Sequence, residues 1–424
     1  MAKQNLKERL VNRKIKTPNK LIAWVVFKAF KSIVKKQNVK YNYELDLKKY
    51  LKEQVVILAQ HGTKDEYLYT LAGFNKYDVH CVIGHQNFFN KKIYGLLLQL
   101  GTISKYLYQT DYNAVKQMLS VVKNGESLLL YPEGIQSTSG STHPINPATI
   151  KLLKKCGLPV ILCTSQGSYL TRPRYSAKQR KGQITVTYKL LFEKEDLTNL
   201  TEDELYNKLL DNFRYNEFEH NKQVRIPFKG KCENIEGLDK IIYKCPHCGA
   251  EFDFKIDGKI MSCNACGYQV EMNDYYDLLQ VNMPLYFDDI DKWYKWQRQE
   301  VKKEVAQSDF ELSRPVKAYN INYDKLKDTL DEVGEGILTV NNHYIIFDGK
   351  YNGEEKQLKF DIKGVPSMPF SPNDGSIDMF YNGEYYNFGL TSNKLEAVKF
   401  MLAVEEIHNM YDPNWANASK DVYE

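Results

Sequence analysis

Three groups of residues in this chain have the types and spacing to do chemistry. Cys245-Pro-His-Cys248 and Cys263-Asn-Ala-Cys266 are two CxxC pairs with fourteen residues between them, each followed by glycine. Four thiolates so spaced satisfy a tetrahedral metal, zinc above all, and leave no open position for catalysis. A pair of disulfides is the alternative. The remaining cysteines, Cys81, Cys156, Cys163 and Cys232, read as buried or free thiols. The second group is Ser127–Ser137, SLLLYPEGIQS, whose apolar run Leu128–Tyr131 lies between Gly125 and Pro132. This is the pattern of a buried strand that delivers Glu133 and Gly134 to its end. Ligands of open α/β sheets sit at strand ends, where glycine permits close approach and a carboxylate accepts from a hydroxyl. A purely structural turn is the plainer alternative. The third group follows Val55–Ala59, a second buried-strand pattern, and reads Gln60-His61-Gly62-Thr63-Lys64-Asp65-Glu66.

Taken together, the His61 and Glu133 stretches resemble the glycerolipid (lysophospholipid) acyltransferase family, which has an Asn-His-x-x-x-x-Asp block and, later, a Phe-Pro-Glu-Gly-Thr-Arg-Ser block. His80–Gly101, an apolar, helix-like run ending in glycine, resembles its second block. Gly157–Leu162, GLPVIL, resembles the fourth, continued by Gly167 and Arg172-Pro173. The resemblance spans about Val55 to Tyr188. It implies an α/β acyltransferase domain that moves an acyl group from acyl-CoA or an acyl carrier protein to a hydroxyl of a lysolipid-like acceptor. His61 is then the general base, because neutral imidazole takes a hydroxyl proton near pH 7. Glu66, five residues on, is the carboxylate that orients it, and Asp65 is the rival. Glu133, Gly134, Gln136, Ser137, Gly101 and Arg172 are the implied acceptor-binding residues. Transfer is direct, since no nucleophilic serine or cysteine stands beside the base. Thr63-x-x-Glu66 is also a capping-box pattern, which assigns Glu66 a helix-capping role instead.

Several positions depart from the family. Gln60 replaces the asparagine, and Pro144-Ile-Asn-Pro147 stands where a Lys-x-Gly pair is usual. Gln136 and Leu107 occupy the places of the two arginines associated with the acceptor phosphate. An amide or a leucine cannot supply a guanidinium's charge. Lys105, Arg172 and Arg174 are the neighbouring cations. The expected acceptor is therefore not a simple glycerol phosphate. The alternative is a domain that has lost catalysis and serves as a lipid- or protein-binding adaptor.

The 424 residues suggest two to four domains, of ordinary globular composition at 43% hydrophobic and 26% charged. The net charge of +5 is unevenly placed: residues 1–36 hold eleven Lys or Arg and one acid, Glu8, so the remainder is slightly acidic. Within Leu21–Val34, apolar Ile22, Val26, Phe30 and Ile33 recur at helical spacing, with Phe27 and Val34 beside them and Lys28, Lys31 and Lys35 opposite. Such a helix is about 21 Å long at about 1.5 Å per residue, too short and too charged to cross a bilayer. It lies on an anionic membrane surface or packs on the acyltransferase core. No secretion signal is evident, so a cytoplasmic protein, peripheral on the inner face of the cell membrane, is expected.

Downstream, a helix over Thr201–Phe218 with the cap Thr201-x-x-Glu204 closes the acyltransferase domain, taken as 41–228 after a basic helical region at 1–40. The cysteine pairs resemble a zinc ribbon, a small β domain at 229–275, and acidic Glu251, Asp253 and Asp257 argue against nucleic acid. Residues 276–424 open with a connecting helix, Leu285–Val305, carrying Trp293 and Trp296. From Gly336 come short strands with hairpin signals at Asn341-Asn342, Asn352-Gly353 and Asn382-Gly383. A terminal helix, Lys394–Met410, follows, giving a β-rich unit that resembles a pleckstrin-homology module.

Overall fold

The computed structural model describes residues 5–423. A seven-stranded sheet carries the first half of the chain. Its strands are β1 (Val39–Glu44), β2 (Val56–Ala59), β3 (Val79–Gly84), β4 (Ile103–Lys105), β5 (Ser127–Leu130), β6 (Val160–Gln166) and, beyond the short β7 (Arg180–Lys181), β8 (Ile184–Phe192), in the order β1-β8-β6-β2-β5-β3-β4. The block β6-β2-β5-β3-β4 is parallel, whereas β8 runs antiparallel to β6 and β1 parallels β8. β2 and β5 are buried along their whole length, as continuous apolar runs in a sheet covered on both faces should be. Their side chains alternate: Ile57 and Leu129 join the core under the helix Glu66–Phe74, while Val56, Leu58, Leu128 and Leu130 join the core on the other face.

The helix Lys20–Lys35 packs against the helix Glu66–Phe74 through Ala23, Phe27 and Val34. Its expected apolar face is split. Ile22, Val26 and Phe30 are half-buried, and the face left in solvent runs Leu21, Trp24, Val25, Lys28, Ala29, Ser32, Ile33. Phe30 meets Tyr67 edge-on, with ring centroids 5.6 Å apart, so the exposed stripe borders the helix that begins at Glu66. Among the described residues no helix is long and apolar enough to cross a membrane.

The cysteine pairs lie just before and within a four-stranded antiparallel sheet of β10 (Phe254–Asp257), β11 (Ile260–Cys263), β12 (Gln269–Met272) and β13 (Leu278–Gln280), with Cys245 and Cys248 ahead of β10, Cys263 ending β11 and Cys266 in the turn to β12; a short β9 (Lys229–Gly230) pairs with β7. The C-terminal sheet contains β14 (Glu311–Asn320), β15 (Asp331–Asn341), β16 (Tyr344–Tyr351), β17 (Glu354–Asp361), β18 (Ser376–Tyr381) and β19 (Glu384–Leu390). Their order is β17-β16-β15-β14-β19-β18, all antiparallel. Asn352-Gly353 and Asn382-Gly383 both hold positive φ at two successive residues, the requirement of a two-residue hairpin turn with primed geometry.

Six expectations about elements need correction. The strands of the last unit begin at Glu311, not Gly336, and a second helix, Pro413–Tyr423, follows Ala397–Tyr411. The connecting helix begins at Ile290, capped by Asp289, whose side chain accepts the Lys292 N–H. The Thr201 capping box forms, but its helix stops at Phe213 and a new one, Glu217–Val224, starts after Tyr215, because Thr142 pairs with Tyr215 across the break. The second block is a strand, a 3-10 turn His85–Phe89 and a helix Tyr94–Gln99 instead of one helical run. Thr63 does not cap the helix at Glu66. Asp65 holds the cap position without a side-chain bond, and the Thr63 hydroxyl is buried without a partner.

One core joins the three parts of the chain. It runs from Ile135, Tyr169 and Tyr175 through Cys245, Cys263 and Trp293 to Val316, Phe388 and Met401.

Candidate active site and metal centre

β2 and β5 pair with Leu58 opposite Leu130, so three residues beyond that point each strand brings His61 level with Glu133. The Glu133 carboxylate accepts the backbone N–H of His61 at Oε1 and of His143 at Oε2, both at 2.7 Å. The His61 carbonyl in turn accepts from the Ser137 N–H at 2.7 Å. Two loops leaving neighbouring strand ends are thereby tied together, and the tie fixes the His61 backbone.

His61 Nδ1 lies 3.5 Å from Glu66 Oε2, with the imidazole 27% exposed and the carboxylate only 2%. That separation is longer than a well-made hydrogen bond, and neither buried atom has a hydrogen-bond partner. Glu66 is held from behind: its Oε1 accepts from Ser165 Oγ at 2.8 Å and Ser168 Oγ at 2.9 Å. The Tyr131 ring supports the imidazole, with centroids 4.9 Å apart. With Nδ1 turned to the buried acid, Nε2 is the ring nitrogen left to meet another group. A half-open imidazole backed by a fixed carboxylate can remove a proton from such a group.

The other expected site residues divide. Asp65 does not face His61; it pairs with Arg172 at 3.0 Å. Glu133 has both oxygens on backbone amides and is 3% exposed, so it holds the loops instead of meeting an acceptor hydroxyl. Gly134 adopts φ +76°, and a Cβ there would meet only the Tyr108 ring. Gln136 lies beside the His61 loop and donates to the Gly62 carbonyl at 3.3 Å. Ser137 Oγ donates to the Ser141 carbonyl at 2.6 Å. Gly101 packs on His80 and the Lys16 carbonyl, away from the His61 loop. Gln60 donates to the Phe213 carbonyl at 2.7 Å. Arg174 donates to the carbonyls of Gln136 and Phe370 and to Thr138 Oγ1, and its guanidinium rests on the Phe370 ring. Lys105, at the end of β4, donates to the Tyr106 carbonyl at 3.1 Å, and burial pushes its pKa down.

Sequence reasoning did not single out Ser165, Ser168, His143, Glu217 or Asp291. The two serines flank Gly167, already noted, and were the nearest signal. Glu217 accepts from the Gly167 N–H, the Tyr169 N–H and the Tyr215 hydroxyl. Burial pushes both Glu133 and Glu217 up to about 8, against the hydrogen bonds that favour their charged forms. His143, buried near Arg174 and Arg298, is lowered to about 3 and stays neutral.

The four cysteine sulfurs lie within 4.8 Å of one another, with Cys245–Cys266 and Cys248–Cys263 at 3.8 Å. A tetrahedral ion with metal–sulfur bonds of about 2.3 Å separates its sulfurs by about 3.8 Å, so the set fits a metal such as zinc, and no pair is near disulfide distance.

No protein-family model and no curated protein matches the sequence. Among solved structures, the chain is similar to the 1-acyl-sn-glycerophosphate (LPA) acyltransferase PlsC from Thermotoga maritima, at 14% identity and a TM-score of 0.38. The likeness covers 45% of this chain and 77% of that one.

Two outcomes follow from this geometry. Carboxyls raised in the folded state stabilise it fully below the ordinary value of 4.5 and lose that contribution as the pH rises through about 8. Up to the ordinary histidine value of 6.5 this loss is opposed by His85 and His143, both lowered to about 3 by burial, which stabilise the fold as the pH rises. The urea midpoint should therefore fall chiefly between about pH 6.5 and pH 8, and Glu217→Gln should flatten part of the fall; a midpoint that rises over this range contradicts the assignment. Cys263→Ser should abolish metal binding, measured as metal per chain, and unfold the β10–β13 sheet, since structural zinc contributes on the order of 10 kcal/mol in small domains.

Proposed function

We propose that this protein is an acyltransferase that moves a fatty acyl group from a thioester donor, acyl-CoA or acyl carrier protein, to the hydroxyl of a lysolipid-like acceptor. The observation that carries this reading is the half-open His61 imidazole facing the buried, doubly hydrogen-bonded Glu66 at the ends of β2 and β5. His61 Nε2 takes the acceptor proton as its oxygen attacks the thioester carbonyl. The C–O bond forms, the C–S bond breaks, and the thiolate leaves and receives a proton. Glu66 stabilises the imidazolium formed on the way. The motif pattern of four ordered blocks agrees with this chemistry. An adaptor without catalysis would have no use for an imidazole kept open and oriented.

The acceptor is not a phosphomonoester. Gln136 stands in place of an arginine and spends its amide on Gly62, Arg172 is neutralised by Asp65, and Arg174 is committed to Gln136, Thr138 and Phe370. A lysophospholipid with a zwitterionic head, or a neutral hydroxyl compound, fits these surroundings better than lysophosphatidic acid. Zinc in the four-cysteine centre is structural. The stripe Leu21, Trp24, Val25 and Ile33, flanked by Lys20, Lys28 and Lys31, docks on the anionic inner face of the cell membrane, where each lysine contributes about 1 kcal/mol.

Purified protein given acyl-CoA or acyl carrier protein and a panel of lysolipids should form acylated product, identified by mass, with His61→Ala slower by about 10²- to 10⁴-fold. Lysophosphatidic acid should be a poor acceptor; its efficient acylation contradicts the headgroup assignment. In vesicle sedimentation, Leu21→Ser with Trp24→Ser should weaken binding to anionic lipid, and wild-type binding should fall with added salt. Equal sedimentation of both proteins removes the docking role.

A further inference from the structure

The sequence interval between the candidate site and Asp291 is long, yet this acid sits directly behind it. Asp291 stands in the first turn of the helix Ile290–Val305 and is 1% exposed. An acid in a first turn ordinarily serves its own helix. Here Asp289 already caps that helix by accepting the Lys292 N–H at 2.9 Å. The Asp291 oxygens instead reach into the first half of the chain. Oδ1 accepts from Ser139 Oγ at 2.5 Å and Ser141 Oγ at 2.6 Å; Oδ2 accepts from Asn216 Nδ2 at 2.9 Å and meets Lys295 Nζ at 3.0 Å.

Each oxygen holds one arm of the site. On the first arm, the Ser141 carbonyl accepts from Ser137 Oγ, and the Ser137 N–H donates to the His61 carbonyl. On the second, Asn216 caps the helix that begins at Glu217. Glu217 binds the N–H groups of Gly167 and Tyr169, and between them Ser168 donates to Glu66. The arms are also zipped to one another, by Glu217 N–H to the Gly140 carbonyl and Thr142 N–H to the Tyr215 carbonyl. The base and its orienting acid thus lean on one carboxylate from outside their own sheet.

The helix bearing Asp291 is itself fixed. Trp293 Nε1 donates to the Lys244 carbonyl at 3.0 Å, next to Cys245, and Gln297 binds Tyr243 N–H and the Ile241 carbonyl. Arg298 pairs with Glu405 and Glu406 on the helix Ala397–Tyr411. We propose that Asp291 is a positioning residue for acyl transfer, setting the His61–Glu66 geometry by holding the Ser139–Ser141 loop and the Asn216 corner to the helix Ile290–Val305, which is itself anchored beside the cysteine centre. This rests on the acyltransferase reading above.

The test compares wild type, Asp291→Ala, Asp291→Asn, and the pair Ser139→Ala with Ser141→Ala. Asp291→Ala should lower kcat by roughly 10²-fold, the scale of a 1 Å misplacement, with the KM for acyl-CoA little changed. Asp291→Asn keeps an oxygen for the two serines but turns an amide toward Asn216 and Lys295, so it should recover part of the loss. The serine pair should lose activity with Asp291 intact. Hydrogen exchange supplies a readout independent of turnover: in Asp291→Ala, amides of 133–143 and 165–171 should exchange faster while those of β10–β13 and the metal content per chain stay as in wild type. Local exchange unchanged, or kcat unchanged in a wild type that does transfer acyl groups, overturns the proposal. Uniformly faster exchange with metal loss overturns it too, by showing a general structural role. If wild type transfers no acyl group but the local exchange pattern appears, the acyltransferase reading and with it the catalytic role fail, while the mechanical coupling stands.

Discussion

The site depends on one interaction, the capture of two backbone amides by a single buried carboxylate. Parallel strands end with unpaired N–H groups, and loops that leave neighbouring strands have no ladder to keep them in place. Glu133 takes the His61 amide on one oxygen and the His143 amide on the other, replacing the missing ladder bonds. The solution recurs: Glu217 captures the amides of Gly167 and Tyr169. Glu66 stands apart, because its second oxygen, unpaired by hydrogen bonds, faces an imidazole. Of these three buried acids, two fasten backbone and one faces the imidazole.

This arrangement explains why the chain's parts share a core instead of standing as separate beads. The loop that follows Glu133 has little apolar content of its own and cannot bury itself. Ile135 and Tyr169 find their packing among Phe218, Tyr276 and the residues around Cys245, and Tyr276 donates to the Leu170 carbonyl at 2.7 Å. The cysteine centre is linked to these loops through the helix Ile290–Val305, whose Trp293 donates to the Lys244 carbonyl and whose Asp291 accepts from Ser139 and Ser141. The basic N-terminal helix performs a parallel service on the opposite side, covering the helix of Glu66 with one face while its remaining apolar stripe stays uncovered.

Features governed by neighbours in sequence were legible: β2 and β5 as short apolar runs, the paired cysteines by spacing, the two Asn-Gly hairpins by their left-handed residues. Features governed by distant partners were not. The strand-end position of Glu133 suggests an acceptor contact, and nothing local shows that amides 72 and 10 residues away claim both its oxygens. The break after Phe213 carries no proline or glycine; it is made by Thr142 pairing with Tyr215. Hydrophobic period located the N-terminal helix but not its orientation, which Phe27 and its contact with Tyr77 decide. Asp291 had no signal beyond being an acid near a helix start, a role Asp289 fills.

The central claim is that a hydroxyl, activated by His61 with Glu66 behind it, attacks the thioester directly. Thiol release from acyl-CoA, followed together with the intact mass of the protein, tests this in wild type and Glu66→Gln. The account requires release only when a lysolipid acceptor is present, no acyl mass on the protein at any time, and slower release in Glu66→Gln. An acylated protein that forms without acceptor, or equal rates in the two proteins, contradicts it.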